Sequence, residues 1–254
     1  MSGLTNRVAL ITGASRGIGA ATALLFAEQG ADVAINYHSS PGRAEAVAAQ
    51  VRALGRRAGV YQADIRSFED CKRMSEAALR DFGRVDILVN NAGIGYETFG
   101  TPLLTETAPD VVQQFLDYNT LGCLNLCRLI VPQMRALPRG DVVMVSSFSA
   151  QAMRPHMGAY SISKAGMEAV AFVLAKEERE HGIRVNIVAP GLVDTDMGDG
   201  FLGSVGADKQ RYAEDAPFGF ICQPRDVAGA IVYLCSEEGR YVTGQRITVN
   251  GGGF

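Results

Sequence analysis

Short apolar runs separated by longer stretches of helical periodicity constrain this chain more than any other feature. The runs are Val8–Thr12, Val33–Tyr37, Gly59–Gln62, Ile87–Asn90, Val142–Val145, Arg184–Ala189 and Arg246–Val249. Several are apolar almost throughout, as strands covered on both faces are. Between them lie the helical patterns Ile18–Gln29, Gly42–Leu54, Phe68–Phe82, Ala108–Arg135, Tyr160–His181 and Arg225–Glu237. This β-α order predicts an α/β fold, a doubly wound parallel sheet of about seven strands with helices on both faces. Right-handed crossovers then align the C-terminal strand ends along one edge, where ligands bind. No linker, repeat or low-complexity block interrupts the 254 residues, so the chain reads as a single domain. Residues 193–220 alone break the rhythm. They follow a strand's C-terminal end and read as a small substrate-covering lobe, a mobile surface insertion being the alternative.

Composition narrows the function classes. A net charge of −3 offers no electrostatic footprint for nucleic acid or an anionic membrane. The N-terminal residues lack signal-peptide architecture, and no segment has the length of uninterrupted apolar sequence that spans a bilayer. The five cysteines are scattered without zinc or redox spacing, so no metal site is expected and a reducing cytoplasm is the natural setting. Cys123 and Cys127 read as small buried apolar residues.

The first strand runs into Thr12-Gly13-Ala14-Ser15-Arg16-Gly17-Ile18-Gly19, which opens the first helix. Glycines let the backbone turn sharply against a pyrophosphate, and the helix N-terminus offers free N–H groups and a positive dipole end. In this strand–turn–helix context the motif predicts dinucleotide binding on a Rossmann-type sheet. A site selecting NAD(H) places an acid at the end of the second strand for the adenosine ribose. That end here reads Asn36-Tyr37-His38-Ser39-Ser40, with Asp32 before the strand and Glu45 inside the next helix. Hydroxyls, an imidazole and Arg16 would meet a 2′-phosphate there. NADP(H) is the favoured cofactor and NAD(H) the other possibility, weak selectivity following if Arg16 is merely solvated.

Tyr160 and Lys164 stand four residues apart in a helical pattern, so their side chains leave one face a turn apart. A phenol near its ordinary pKa of about 10 exchanges protons poorly at neutral pH until a cation stabilises its anion. The pair is therefore a candidate general acid/base, although an amphipathic helix with a surface Tyr and Lys has the same sequence.

With the glycine turn, Ala63-Asp64-Ile65, Asn90-Asn91-Ala92-Gly93, Asn119, Ser147, Tyr160/Lys164 and Pro190-Gly191 in this order, the chain resembles the short-chain dehydrogenase/reductases of about this length that carry TGxxxGxG and YxxxK. The resemblance spans essentially the whole chain, and it is similar to 3-oxoacyl reductases among them. It implies that Tyr160 exchanges the proton of the substrate oxygen. Lys164 would lower the tyrosine's pKa and bind the nicotinamide ribose, Ser147 would polarise the carbonyl, and Asn119 would hold a water linking Lys164 to solvent. Cofactor contacts are implied for Gly13, Ser15, Arg16, Gly17, Ile18, Gly19, Tyr37, His38, Ser39, Ser40, Asp64, Ile65, Asn91, Ala92, Gly93, Tyr160, Lys164, Pro190, Gly191, Val193 and Thr195. Ser146 is expected to face away from Ser147 as a structural residue.

The function expected is NADP(H)-dependent interconversion of a small-molecule ketone and a secondary alcohol. Alternatives are a 3-oxoacyl reductase acting on an acyl carrier protein or coenzyme A ester, a non-catalytic nucleotide sensor, and an epimerase or dehydratase. An acidic carrier needs an exposed basic patch, for which Arg135 and Arg139 are the available residues. Two motifs depart from the family pattern: Pro217-Phe218-Gly219-Phe220, where an Arg is usual, and Asn250, where Asp is commoner. Met153, Met157, Phe201, Leu202, Tyr212 and Phe218, with Tyr96 and Phe99, suggest a partly apolar substrate pocket. The family resemblance implies a homotetramer built on the two long helices, with a dimer also open.

Overall fold

Every residue of the strands Val8–Ile11 (β1), Ile87–Asn90 (β4), Gly140–Val145 (β5) and Ile183–Pro190 (β6) is buried, which is why their sequences read as continuous apolar runs. The computed structural model describes residues 3–252. Three further strands, Asp32–Tyr37 (β2), Ala58–Gln62 (β3) and Arg246–Val249 (β7), complete one sheet in the order β3-β2-β1-β4-β5-β6-β7. All pairings are parallel. The strand order reverses between β1 and β4, the position at which a doubly wound sheet opens a ligand crevice.

One face of the sheet is covered by Gly17–Glu28 (α1), Pro41–Ala53 (α2) and Pro224–Cys235 (α10), through a core containing Phe26, Val47 and Ile231. The other is covered by Phe68–Phe82 (α3), Gly122–Met134 (α5) and Gly158–Glu177 (α7), through Met74, Ile130 and Met167. Asp32 is the first residue of β2 rather than a residue before it, which leaves it at the strand end remote from the ligand edge.

One helix differs from the sequence reading. The stretch expected as one helix from Ala108 to Arg135 is Pro109–Leu116 (α4) and α5 joined through a π-helical turn, Asp117–Leu121. Asn119 sits in that turn, wholly buried, and bonds the backbone of Ile94 from both ends of its amide. An added residue in one turn is how a helix re-aims a side chain, and such bulges cluster at functional sites. Residues 193–220 are largely helical, carrying Asp196–Ser204 (α8) and Lys209–Glu214 (α9), with Thr195 and Asp208 capping them through Gly198 N–H and Arg211 N–H. A short helix, Ser149–Ala152 (α6), precedes α7.

Gly13 and Gly17 adopt left-handed φ values of 61° and 55°, which makes the sharp turn between β1 and α1 possible. Gly19 is needed for space: a Cβ there would lie 2.6 Å from the Gly13 carbonyl oxygen and 2.9 Å from Ala14 Cα. Backbone cannot retreat as a side-chain tip can. Gly19→Ala is therefore expected to cost about 1–3 kcal/mol in denaturant unfolding and to weaken nucleotide binding; wild-type values for both would show that the turn is not packed this tightly.

Candidate active site

The C-terminal ends of β1, β4, β5 and β6 open into a cleft of about 1360 Å³. Gly13, Ser15, Arg16, Gly17, Ile18, His38, Ser39, Ser40, Asp64, Ile65, Asn91, Ala92, Gly93, Pro190, Gly191, Val193 and Thr195 line it, together with Ser147, Tyr160 and Lys164. Tyr37 and Gly19 do not. Strand alternation turns Tyr37 to the opposite face, where it packs against the core beneath α1 and α2, and puts Asn36 at the cleft instead. Asn36 accepts from Gly13 N–H at 3.1 Å and donates to the Ala63 carbonyl at 3.2 Å, holding the phosphate turn between β2 and β3. A single amide in an otherwise apolar strand was the signal that could have revealed it.

The turn is braced from β4 as well. Thr12 Oγ1 accepts from the N–H groups of Asn91 and Ala92, both at 2.9 Å, and the Asn91 amide donates to the Thr12 carbonyl at 2.8 Å. No side chain caps the N-terminus of α1, and its first turn carries no acid. An uncapped helix start behind a glycine turn suits the pyrophosphate of a dinucleotide. The cleft also has the volume for an extended ligand plus a second molecule. Asp64 accepts from Arg66 at 2.6 Å; burial pushes its carboxyl up, but the Arg66 hydrogen bonds outweigh that and hold it below the usual range. The Thr195 hydroxyl caps α8 by accepting from Gly198 N–H at 3.1 Å, so it is already engaged.

Tyr160 lies in the first turn of α7, its ring edge-on to Tyr96 and Phe115 at centroid distances of 5.2 and 6.0 Å. This aromatic packing fixes the ring. Burial pushes the phenol up to about 12, a hydrogen bond with Ser147 pulls the other way, and the Glu97 charge adds to the rise. Lys164, one turn on, is buried and donates to the Val145 carbonyl at 2.9 Å. Its Nζ lies 5.9 Å from the Tyr160 ring centroid, and burial pulls the ammonium down to about 8. Loss of water dominates at the phenol, and the ammonium donates to backbone.

The end of β5 is held by three charged side chains. Beyond the Lys164 bond to Val145, Ser146 Oγ donates to Glu168 Oε1 at 2.7 Å. Arg246 from β7 donates to the same carboxylate oxygen at 2.9 Å and to the Ser147 carbonyl at 3.1 Å. Ser146 is accordingly buried in structural work, while Ser147 Oγ faces the cleft and accepts from Ser149 N–H at 3.1 Å. Glu168 and Arg246 were not singled out in the sequence, although a lone acid one turn after Lys164 in an apolar helix was visible.

The side chain of Asn119 does not line the cleft; its amide bonds Ile94 and the Ser163 hydroxyl. Among the expected pocket residues, Tyr96, Met157, Phe201, Tyr212 and Phe218 line the cleft, whereas Met153 is exposed, Leu202 is buried beneath the lobe and Phe99 packs on Phe115. Arg135 and Arg139 both make internal contacts: Arg135 grips Glu178 through two hydrogen bonds, and Arg139 holds Asp141 and the carbonyls of Cys235 and Ser236. Cys123 and Cys127 are buried within the core, and burial raises both thiols. Among the described residues no helix is long and apolar enough to cross a membrane, and no group of His, Cys, Asp and Glu could hold a metal ion.

A lysine whose folded pKa is depressed to about 8 from 10.5 binds fewer protons folded than unfolded between those values. Stability attributable to Lys164 therefore increases as pH rises through that window. Measured by urea unfolding from pH 8 to 9.5, the wild type should gain stability relative to Lys164→Met. Parallel curves would contradict the burial described here.

Comparison with known proteins agrees with this geometry. A family model described as Enoyl-(Acyl carrier protein) reductase matches residues 13–253. The 3-oxoacyl-[acyl-carrier-protein] reductase FabG of Staphylococcus epidermidis is 35% identical over 247 residues, 97% of this chain and 98% of that protein. A short chain dehydrogenase from Burkholderia cenocepacia, solved in complex with NADP, superposes with a TM-score of 0.87 at 36% identity over 98% of both chains. A 7α-hydroxysteroid dehydrogenase solved with NADH and 7-oxo glycochenodeoxycholic acid gives 0.89 at 30% identity, covering 99% of this chain and 96% of that one. Matches of this extent, on a seven-stranded sheet with Ser147, Tyr160 and Lys164 in one cleft, place the chain in the short-chain dehydrogenase/reductase family of NAD(P)-dependent oxidoreductases.

Proposed function

We propose that this enzyme interconverts a ketone and a secondary alcohol with NADP(H), using Tyr160 as the proton donor and acceptor at the substrate oxygen. The observation that carries the reading is the meeting of Ser147 and Tyr160 hydroxyls at one wall of the cleft with the Lys164 ammonium behind them. Two hydroxyls converging on one point can share a carbonyl oxygen, and that oxygen is where negative charge develops during ketone reduction. When bound, the nicotinamide supplies the hydride. Gly13 to Ile18 would hold its pyrophosphate, Asp64 and Ile65 its adenine, and Lys164 its nicotinamide ribose.

The protein's own groups handle the proton. Burial keeps the Tyr160 phenol protonated at neutral pH, so a proton is held where a developing alkoxide would form. Ser147, fixed by Arg246 on its carbonyl and by the Ser149 N–H, polarises the same oxygen. Lys164 places a positive charge beneath the phenol, which favours the phenolate once the proton has left. Asn119 acts by holding Ile94 and Ser163 in place; its side chain is fully engaged, so a water relay would use the backbone of its π-helical turn.

The absence of an acid at the C-terminal end of β2, with Arg16, His38, Ser39 and Ser40 around the cleft there, supports NADP(H) over NAD(H). Apolar side chains at the far end of the cleft, Ile94, Met157, Phe201 and Phe218, suit a substrate that is hydrophobic around its ketone. A 3-oxoacyl thioester on a carrier protein is the second reading, favoured by the names of relatives such as FabG. Against it stands the engagement of Arg135 and Arg139 in internal pairs.

Tyr160→Phe should lower ketone reduction by NADPH by about 10²–10⁴-fold, the usual contribution of a positioned acid, with NADPH affinity changed less than threefold. Turnover near wild type would overturn the assignment. Offering a hydrophobic ketone beside its carrier-bound thioester analogue separates the two substrate readings: preference for the free ketone is expected.

A further inference from the structure

Two arginines from different elements converge on one carboxylate oxygen of the lobe. Arg16, in the phosphate turn, donates to Asp196 Oδ2 at 3.0 Å, and Arg43, in the first turn of α2, donates to the same oxygen at 2.9 Å. These elements flank the C-terminal end of β2, where His38, Ser39 and Ser40 border the cleft. Asp196 begins α8, and the preceding residue, Thr195, packs against the phosphate turn: a Cβ on Gly17 would lie 3.3 Å from Thr195 Cγ2. The lobe thus reaches over the turn and delivers an anion to a pair of guanidiniums.

The pairing is built for anion capture. Guanidiniums recognise oxyanions through charge-assisted hydrogen bonds, and phosphate is a stronger partner than carboxylate by charge and by number of oxygens. All three side chains are more than half exposed, so the pairs are exchangeable rather than locked. Hydrogen bonds from Arg43 lead the effects that keep the Asp196 carboxyl below its ordinary range, so it is a full negative charge at neutral pH.

We infer that Asp196 is an internal competitor for the arginine pair that receives the 2′-phosphate of NADP(H), making it a determinant of cofactor selectivity carried by the substrate lobe. The inference rests on the NADP(H) reading above. Arg43 becomes the second phosphate-binding residue, beside Arg16. Because competition is reciprocal, a 2′-phosphate on the arginines releases Asp196 and loosens the base of the lobe, whereas a nucleotide without that phosphate leaves the contact in place. Cofactor choice and lobe position then become one equilibrium.

The test is binding of adenosine 2′,5′-bisphosphate and adenosine 5′-monophosphate, which differ only in the 2′-phosphate, by calorimetry on the intact protein. A wild-type preference for the bisphosphate tests the cofactor reading itself. The competitor role is tested separately, by the change in that preference on Asp196→Asn. The ratio of affinities should rise about threefold or more, the scale of an exposed ion pair, and Arg43→Ala in the same background should remove the gain. An unchanged ratio would overturn the inference. So would equal tightening of both nucleotides, which marks a general field effect, or a gain that persists without Arg43. The ratio can rise on Asp196→Asn even where the wild type shows no preference, so failure of the cofactor reading and failure of this inference remain distinct.

Discussion

Removing a lysine ammonium from water is the constraint around which this site is arranged. Lys164 is buried at the sheet edge, and its hydrogen bond to the Val145 carbonyl ties α7 to the end of β5. That tie leaves Ser147 just beyond the strand and Tyr160 one helical turn before the lysine, facing the same cleft. Glu168 and Arg246 complete the arrangement: the carboxylate takes the Ser146 hydroxyl, and the guanidinium takes the Ser147 carbonyl. A buried acid–base pair is costly unless its remaining valences are filled, and here they are filled by the segment that presents the serine. The geometry of the hydroxyls therefore depends on charges that do not touch the cleft.

Much of this was legible in the sequence because it rests on local patterns. Apolar runs with helical stretches between them specify a doubly wound sheet, and the observed strands match those runs to within a few residues at their ends. The turn from Thr12 to Gly19 and the four-residue spacing of Tyr160 and Lys164 are likewise local. What could not be read is set by partners distant in sequence. Asn119 lies in a π-helical turn within an otherwise continuous helical pattern, where its amide serves Ile94, twenty-five positions away. The exchange of Tyr37 for Asn36 at the cleft is of the same kind, because a run of residues at a strand end does not declare which face each one takes. The burial of Tyr160 likewise involves the rings of Tyr96 and Phe115, residues that no motif links to it.

Residues 193–220 carry helices α8 and α9, and Phe218 and Phe220 stand exposed in the same segment. Asp196 joins this segment to the phosphate turn and to the first turn of α2. The phosphate turn is also held from the sheet side, by Asn36, Thr12 and Asn91.

On the proposed reading, the Ser147, Tyr160 and Lys164 cluster serves direct hydride reduction of a ketone. Single-turnover reaction with NADPH deuterated at the transferring position of the nicotinamide tests it most directly. Deuterium on the carbinol carbon of the product, at one face only and with a primary isotope effect on the chemical step, is the predicted result. Product formed without deuterium, or bound cofactor that stays reduced with every ketone offered, would contradict it.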